Sequence, residues 1–193
     1  MSFQKIRSFV WETAKLVFIS LVIILPIRYF LVEPFFVLGA SMEPTFQNGD
    51  YLVINEISYL TGKPNRGDVV VFQYPHNPKE CESIVYQFTH SKNCPYYIKR
   101  VIALPGETVI LNDRGVLIKN AESPDGFFLK EEYLANKETY GNTTTALGNE
   151  EYFVMGDNRG HSSDSRMWGP LARKYMTGKV LLRAFPFEKA TLY

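Results

Sequence analysis

After Pro34 the chain consists of short apolar runs separated by turn-forming residues such as Asn48-Gly49-Asp50 and Pro105-Gly106. Closely spaced runs of this kind, without helices between them, favour an antiparallel sheet. The predicted strands are Tyr51–Asn55, Asp68–Tyr74, Tyr96–Leu104, Thr108–Leu111, Val116–Lys119, Glu151–Met155 and Lys179–Phe185. Helical periodicity is weak and is suggested only near Lys130–Lys137. We therefore predict a mainly β fold, an antiparallel and barrel-like sheet, behind one amino-terminal helix.

That amino-terminal helix is predicted from the apolar stretch at residues 9–32. Its uninterrupted part, Leu16–Ile27 apart from Ser20, is shorter than the roughly 20 residues that a membrane span needs. The full stretch is long enough if Lys15 and Arg28 extend toward opposite surfaces. Basic residues before it predict a cytoplasmic amino terminus. We expect residues 1–8 in the cytoplasm, 9–32 as a single transmembrane signal anchor in the cell membrane and 33–193 as an extracytoplasmic domain.

Two alternatives for the apolar stretch remain. One is a cleaved signal peptide, but a cut after Ala40 would place the bulky Leu38 at the −3 position. The other is a buried amphipathic helix, which the absence of a polar face between Leu16 and Leu25 disfavours.

Two polar stretches, at about residues 75–95 and 120–149, interrupt the strand pattern and are predicted to be surface insertions. The first carries the only cysteines, Cys81 and Cys94, which are candidates for a disulfide if the domain is exported. Two free thiols are the alternative. Their spacing matches no zinc pattern, so no metal and no other cofactor is expected. A net charge of +1 provides no general attraction to nucleic acid.

Lys99 lies in the apolar run from Tyr96 to Leu104. In a strand its side chain shares a face with Tyr97, Val101 and Ala103. An ammonium on an apolar face either reaches water or loses its proton more easily, because desolvation disfavours the charged form. A neutral lysine is a base, and Ser41 is a candidate nucleophile for it if the fold brings the two together. A turn serine and a solvated lysine are the alternative.

Conspicuous blocks occur in one order along the chain. They are Ser41-Met42-Glu43-Pro44-Thr45, then Gly49-Asp50-Tyr51-Leu52-Val53, then Arg66–Phe72 continued by Tyr97–Gly106, and finally Gly156-Asp157-Asn158-Arg159 with Ser162–Arg166 and Trp168-Gly169. Together they resemble the bacterial type I signal peptidases, Gram-positive-like, from about Glu33 to Phe187. Those are membrane-anchored serine proteases that remove signal peptides. The resemblance implies a Ser-Lys dyad endopeptidase that cuts after small residues at −1 and −3 through an acyl-enzyme.

The resemblance implies Ser41 as the nucleophile, with its backbone N–H binding the oxyanion, and Lys99 as the general base. It also implies that Ser162 hydrogen-bonds and orients the Lys99 ammonium, and that Asp164 and Arg166 brace the same loop as a salt bridge.

The chain departs from the family pattern in two places. Many relatives have, two residues before the nucleophile, a serine whose hydroxyl assists the oxyanion hole; here Gly39 leaves the second donor open. His161 allows a Ser-His-Asp alternative with Asp157 or Asp164, but that alternative gives Lys99 no role. Asp157 and Asn158 are expected to shape a turn through side-chain to backbone bonds. For His76 and His90, loop roles are expected.

Two shallow substrate pockets are also implied. Their candidate walls, by position, are Val37, Leu38, Met42, Phe46, Tyr97 and Ile98. The expected partners are preprotein signal peptides, membrane lipid and, by proximity, the secretion translocon, with no nucleic acid. The main alternative function is a non-catalytic relative that assists pilus or surface-protein assembly, although such relatives lack the serine and lysine. A self-cleaving Ser-Lys repressor is disfavoured by the apolar segment and by the absence of a DNA-binding module.

Overall fold

The computed structural model describes residues 3–30, 33–73, 95–135 and 142–193. It begins with helix α1 (Phe3–Phe30), whose side chains from Phe9 to Ile23 are exposed. Within the described ranges, no helix combines the length and the apolarity that crossing a membrane requires. The membrane span at residues 9–32 therefore stays a prediction.

The larger sheet is antiparallel and has eight strands. Its strands are β1 (Glu33–Phe36), β2 (Tyr51–Asn55), β3 (Val69–Gln73), β4 (Tyr96–Ala103), β9 (Glu151–Met155), β10 (Leu171–Ala172), β11 (Met176–Phe185) and β12 (Thr191–Leu192). They are ordered β1-β2-β11-β3-β4-β9-β10, with β12 paired to β11. Among the described residues, strand pairing does not close this sheet into a barrel, since β1 and β10 stand at its two ends.

The smaller sheet lies between β4 and β9 in the chain and is ordered β7-β6-β5-β8. Its strands are β5 (Thr108–Asn112), β6 (Gly115–Lys119), β7 (Phe127–Phe128) and β8 (Thr143–Ala146). In β5 and β6 buried and half-buried residues alternate, as expected for strands with one face on a core. The last two strands come from the stretch at 120–149 that was predicted as a surface insertion, so part of that stretch completes the smaller sheet.

Three buried apolar clusters lie under these sheets. One contains side chains from both sheets, among them Ile102 and Phe153 of the larger and Val109 and Ile118 of the smaller. A partly buried ion pair also joins the two regions, because Arg66 binds Glu107 at 2.6 Å and donates to the Ile102 carbonyl. The larger sheet, which carries the candidate nucleophile loop, thereby packs against the smaller one.

All the predicted strands are present, and β2 and β9 have the predicted bounds. The helix expected near Lys130–Lys137 is wrong for residues 130–135, which form turns and irregular backbone. Short helices occur instead at α2 (Ile57–Thr61) and α3 (Ser165–Trp168). Cys81, Cys94 and most of the stretch at 75–95 lie outside the described residues, as do His76 and His90.

Candidate active site

Ser41 lies in the loop that connects β1 to β2. This loop continues the β1–β2 pairing for a few residues, since Val37 N donates to Asp50 O and Gly49 N donates to Val37 O, both at 2.9 Å. Gly39 follows with a φ of +92°, a backbone conformation that favours glycine, and its N–H donates to Asn48 Oδ1 at 2.9 Å. The chain then turns back over residues 41–45.

Lys99 lies on β4, opposite Val70 of β3, and is only 2% exposed. Its Nζ is 2.8 Å from Ser41 Oγ and 2.8 Å from the Ile98 carbonyl oxygen. Two residues 58 positions apart in sequence are therefore in hydrogen-bond contact. The pair has the geometry that a nucleophile and a general base require.

The surroundings of Lys99 favour its neutral form. Burial lowers the pKa of Lys99 from 10.5 to about 8, while Asp164 and Asp157 oppose this shift from a distance. Among the described residues Lys99 forms no ion pair. A lysine with this pKa is partly deprotonated near neutral pH and can accept a hydroxyl proton.

Asp164 and Arg166 form the predicted salt bridge. Arg166 Nε donates to Asp164 Oδ1 at 2.8 Å, and Nη2 donates to Oδ2 at 2.9 Å. The fully buried Asp164 also accepts from Gly156 N at 3.0 Å, and Arg166 donates to the Arg159 carbonyl at 2.7 Å. The pair thus holds the loop between β9 and α3 at two backbone positions.

Ser162 does not make the predicted hydrogen bond to Lys99. Its Oγ is buried and has no hydrogen-bond partner among the described residues. It lies close to the nucleophile loop, because a Cβ added to Gly156 would be 2.3 Å from Ser162 Oγ and 2.4 Å from the Ser41 carbonyl oxygen. The hydroxyl therefore lies near the Ser41 backbone without a hydrogen-bond partner among the described residues, and its orienting role stays a prediction.

Asp157 has a different role from the one expected. Its buried carboxylate does not cap a turn but accepts two hydrogen bonds from Arg100, at 2.8 and 2.6 Å, and one from Thr45 Oγ1 at 2.5 Å. The neighbouring Asn158 N donates to the Ser41 carbonyl at 3.0 Å. These bonds fasten the nucleophile turn to the end of β9. Strand alternation predicts that Arg100 lies on the face of β4 opposite Lys99. Nothing in the sequence indicated that Asp157 would be the partner of Arg100.

His161 is exposed, and its Nδ1 is 3.2 Å from Asn158 Oδ1. Asp157 and Asp164 are committed to Arg100 and Arg166 instead. The geometry therefore gives no support to a Ser-His-Asp arrangement.

A groove of about 290 Å³ leads to Ser41 and Lys99. The segments 35–38 and 95–99 form its two sides, together with Val71. Of the predicted wall residues, Val37, Leu38, Tyr97 and Ile98 line it. Met42 and Phe46 do not, because the turn directs them into the core, where they are 1% and 0% exposed and pack with Leu52 and Val180.

Comparison with known proteins is consistent with this geometry. The family model described as "Signal peptidase, peptidase S26" matches residues 10–185. A probable signal peptidase I-1 from a Synechocystis species is 37% identical over 181 residues, covering 94% of this chain and 85% of that protein. A signal peptidase I P from Bacillus subtilis subsp. natto is 37% identical over 195 residues, covering 95% and 93%.

A crystal structure of a signal peptidase I from Enterococcus faecalis V583 superposes with a TM-score of 0.42 and 26% identity, covering 61% of this chain and 96% of that one. That superposition is too loose to carry structural detail, whereas the family model and the curated relatives each extend over most of the chain. On that extent of similarity, this chain belongs to the signal peptidase family, peptidase S26.

Proposed function

We propose that this protein is a membrane-bound serine endopeptidase that removes amino-terminal signal peptides from exported preproteins. Ser41 is the nucleophile and Lys99 is the general base. The observation that carries the proposal is the 2.8 Å contact between Lys99 Nζ and Ser41 Oγ, made by a buried lysine at the end of a groove. Membership of the peptidase family supplies the substrate class.

In the proposed reaction, neutral Lys99 accepts the Ser41 hydroxyl proton as Oγ attacks the carbonyl carbon of the scissile bond. The Ser41 N–H stabilises the resulting oxyanion. The Lys99 ammonium then donates its proton to the leaving amine, which releases the mature protein and leaves the signal peptide esterified to Ser41. Finally Lys99 deprotonates a water molecule, and the hydroxide attacks the ester carbonyl carbon. As the bond to Ser41 Oγ breaks, the Lys99 ammonium returns the proton to Oγ and the cleaved signal peptide leaves as a carboxylic acid.

The neighbouring polar residues assist this cycle. The protonated Lys99 has three N–H donors, of which Ser41 Oγ and the Ile98 carbonyl accept two, and the buried Ser162 Oγ has the capacity to accept the third. Asp164 and Arg166 keep the loop of Ser162 in place through their salt bridge. Both effects orient the lysine and do not supply chemistry of their own.

The groove suits an extended substrate. Strand β1 pairs only with β2 among the described residues, and β9 pairs with β4 only from Arg100 onward. A peptide added between the segments 35–38 and 95–99 would reach the dyad as a strand. Alternate residues of a strand share a face, so the substrate residues at −1 and −3 would meet the same wall. Apolar side chains such as Val37 and Ile98 would exclude bulky residues there.

The membrane assignment rests on helix α1. Its described apolar side chains, among them Phe9, Trp11 and Phe18, are exposed, and no described part of the domain covers them. We propose that residues 9–32 anchor the chain in the cell membrane with the amino terminus in the cytoplasm, in contact with lipid and near the translocon. Phe36 is exposed beside the groove, which would place the dyad close to the lipid surface. The non-catalytic assembly factor is not favoured, because both dyad residues are present and in contact.

The test uses the full chain in detergent and a preprotein with alanine at −1 and −3. Wild-type protein should release a product whose new amino terminus, read by mass spectrometry, follows the −1 alanine. Ser41→Ala should lower the rate at least about 1,000-fold, because the nucleophile is lost. Ser163→Ala, at an exposed neighbouring serine, is the matched control and should cleave normally. Undiminished processing by Ser41→Ala would refute the proposal.

A further inference from the structure

Residues 129–135, called the strap below, lie outside every block that carries the family resemblance. They follow the smaller sheet, and Leu129 anchors them there by donating its N–H to Val116 O at 2.8 Å and by packing against the buried cluster that joins the sheets. From this anchor the strap reaches the loop that follows β9. It contacts two arginines, Arg159 in that loop and Arg100 on β4.

The first contact is a buried ion pair between Glu131 and Arg159. The Glu131 carboxylate accepts from both terminal nitrogens of Arg159, with Nη1 at 3.2 Å from Oε2, and the side chains are only 9% and 2% exposed. The Tyr133 hydroxyl donates to Glu131 Oε1 at 2.9 Å. Burial and the Glu131 carboxylate raise the pKa of Tyr133, so this hydroxyl stays a donor. Both terminal nitrogens of Arg159 are thus bound to the strap.

The second contact is between Tyr133 and Arg100. The guanidinium carbon of Arg100 lies 4.0 Å from the centre of the Tyr133 ring, a distance typical of a cation–π interaction. The same guanidinium holds Asp157 with two hydrogen bonds. The strap therefore covers the arginine that ties Asp157 to β4.

Residues 156–159 include Arg159 and also Asp157, the partner of Arg100, so both contacts act on this segment. The same segment contacts the loop of Ser41. Arg159 Nε donates to Gly156 O at 3.1 Å, and Asn158 N donates to the Ser41 carbonyl at 3.0 Å. Gly156 has no room for a side chain, because Ser162 Oγ and Ser41 O lie against it. A displacement of this segment would move the backbone that supports Ser41 and would admit water beside Lys99.

We propose that Glu131 and Tyr133 are positioning residues of the Ser41–Lys99 dyad, acting through Arg159 and Arg100. The inference rests on the proposed function. It gives a role to the strap, which lies outside the blocks that resemble the family. Without Glu131, a buried guanidinium would lose its only carboxylate partner among the described residues and would turn toward water. Its bond to the Gly156 carbonyl would be lost with it.

A purely structural role and a positioning role differ in their effect on Lys99. The charged groups that act on Lys99 are Asp164 and Asp157, and burial is the largest cause of its lowered pKa. A loosened loop hydrates the lysine, so its pKa rises from about 8 toward 10.5. A variant that merely unfolds more easily leaves the pKa of its folded molecules unchanged.

The experiment compares Glu131→Gln with Glu132→Gln, its exposed neighbour in the strap. The full chain in detergent carries lysine labelled with ¹³C at Cε, and the Lys99 resonance is assigned by its absence in Lys99→Arg. Its titration by NMR requires no substrate, so the result stands even if preprotein cleavage fails. Where cleavage is measured, Glu131→Gln should lower kcat about tenfold, with KM within about twofold of wild type.

A raised Lys99 pKa in Glu131→Gln, with Glu132→Gln unchanged, supports the proposal. An unchanged pKa and kcat in folded Glu131→Gln overturns it. If Glu131→Gln does not fold, Tyr133→Leu and Tyr133→Phe decide, because phenylalanine keeps the ring beneath Arg100 and leucine does not. The leucine variant should raise the Lys99 pKa more than the phenylalanine variant does. Equal, wild-type titration in both would refute the strap's role.

Discussion

Lys99 and Arg100 are neighbours on β4, but they lie on opposite faces of the strand and their pKa values shift in opposite directions. Lys99 is buried without an ion pair among the described residues, and its Nζ contacts Ser41 Oγ and a backbone carbonyl. Arg100 is held by Asp157, Gly67 O and the ring of Tyr133. Burial lowers the pKa of Lys99 to about 8. Burial acts in the same direction on Arg100, but Asp157 outweighs it and raises the pKa.

The comparison separates two uses of a buried cation. Without a carboxylate partner, Lys99 can lose its proton and serve as a base. With a fully hydrogen-bonded partner, Arg100 keeps its charge and becomes a structural joint between β4, β9 and the nucleophile turn. One residue step along a strand is enough to place each cation in its own environment, since adjacent side chains point to opposite faces.

Replacing Lys99 should produce the largest effect. Lys99→Met should abolish processing, a loss of at least about 1,000-fold, while increasing the free energy of unfolding at pH 7 by up to about 3 kcal/mol. The gain follows because the lowered pKa means that the folded state opposes the ammonium form. This penalty is present in full below pH 8 and fades as the pH rises to 10.5, where the wild-type lysine is neutral when folded.

Urea unfolding at pH 7 and at pH 10.5 measures this difference. Lys63→Met, at an exposed lysine, is the control and should change neither activity nor stability appreciably. A Lys99→Met variant that loses more than about 2 kcal/mol at pH 7 would mean that Lys99 has a compensating partner.

Replacing Arg100 should have the opposite effect on stability. Arg100→Met leaves the fully buried Asp157 carboxylate without its cation, which should lower the free energy of unfolding by about 3–5 kcal/mol. The double variant Arg100→Met with Asp157→Asn removes the unpaired charge and should recover part of the loss. Urea unfolding at pH 7 measures both variants. Stability within about 1 kcal/mol of wild type for the single variant would show that the two faces of β4 do not differ as described.

The pH dependence of cleavage should show the smallest and most specific effect. If neutral Lys99 is the base, as proposed, kcat/KM should rise with pH and level off above a midpoint near 8. Below the midpoint the rate should fall about tenfold for each pH unit, as the ammonium form predominates. Initial rates between pH 6 and 9.5 on one preprotein measure the profile. A rate that does not change over this range would contradict a lysine base.

The sequence predicted those strands that are short apolar runs delimited by turn-forming residues. Strands β2, β5 and β6 each alternate between a buried and a half-buried face, and turn residues delimit them. Strands β7 and β8 were missed because one has two residues and the other is exposed at all but one position, so neither shows a periodic pattern. Their pairing with β6 and β5 depends on neighbours already in place.

The site divides in the same way. The family blocks pointed to Ser41, Lys99 and the Asp164–Arg166 pair, and the last could be anticipated because its members are two residues apart. Met42 and Phe46, assigned to the groove by their position in the chain, are buried in the core beside it, since position in the chain does not reveal the direction in which a turn aims its side chains. Glu131 and Tyr133 left no signal, because the arginines that they contact, Arg159 and Arg100, are distant from them in sequence.

Local signals in the chain were therefore sufficient to predict the mainly β fold and to identify the apolar amino-terminal stretch. They were also sufficient to find the residue types that a peptidase of this family requires. Turn chemistry and strand alternation act over a few residues, so they can be read in order along the chain. Three features arise only on folding. They are the contact of Lys99 with Ser41, the burial that lowers the pKa of Lys99, and the contacts of the strap with Arg159 and Arg100. Each depends on strands and loops distant in sequence that exclude water together, and desolvation is a property of the packed molecule.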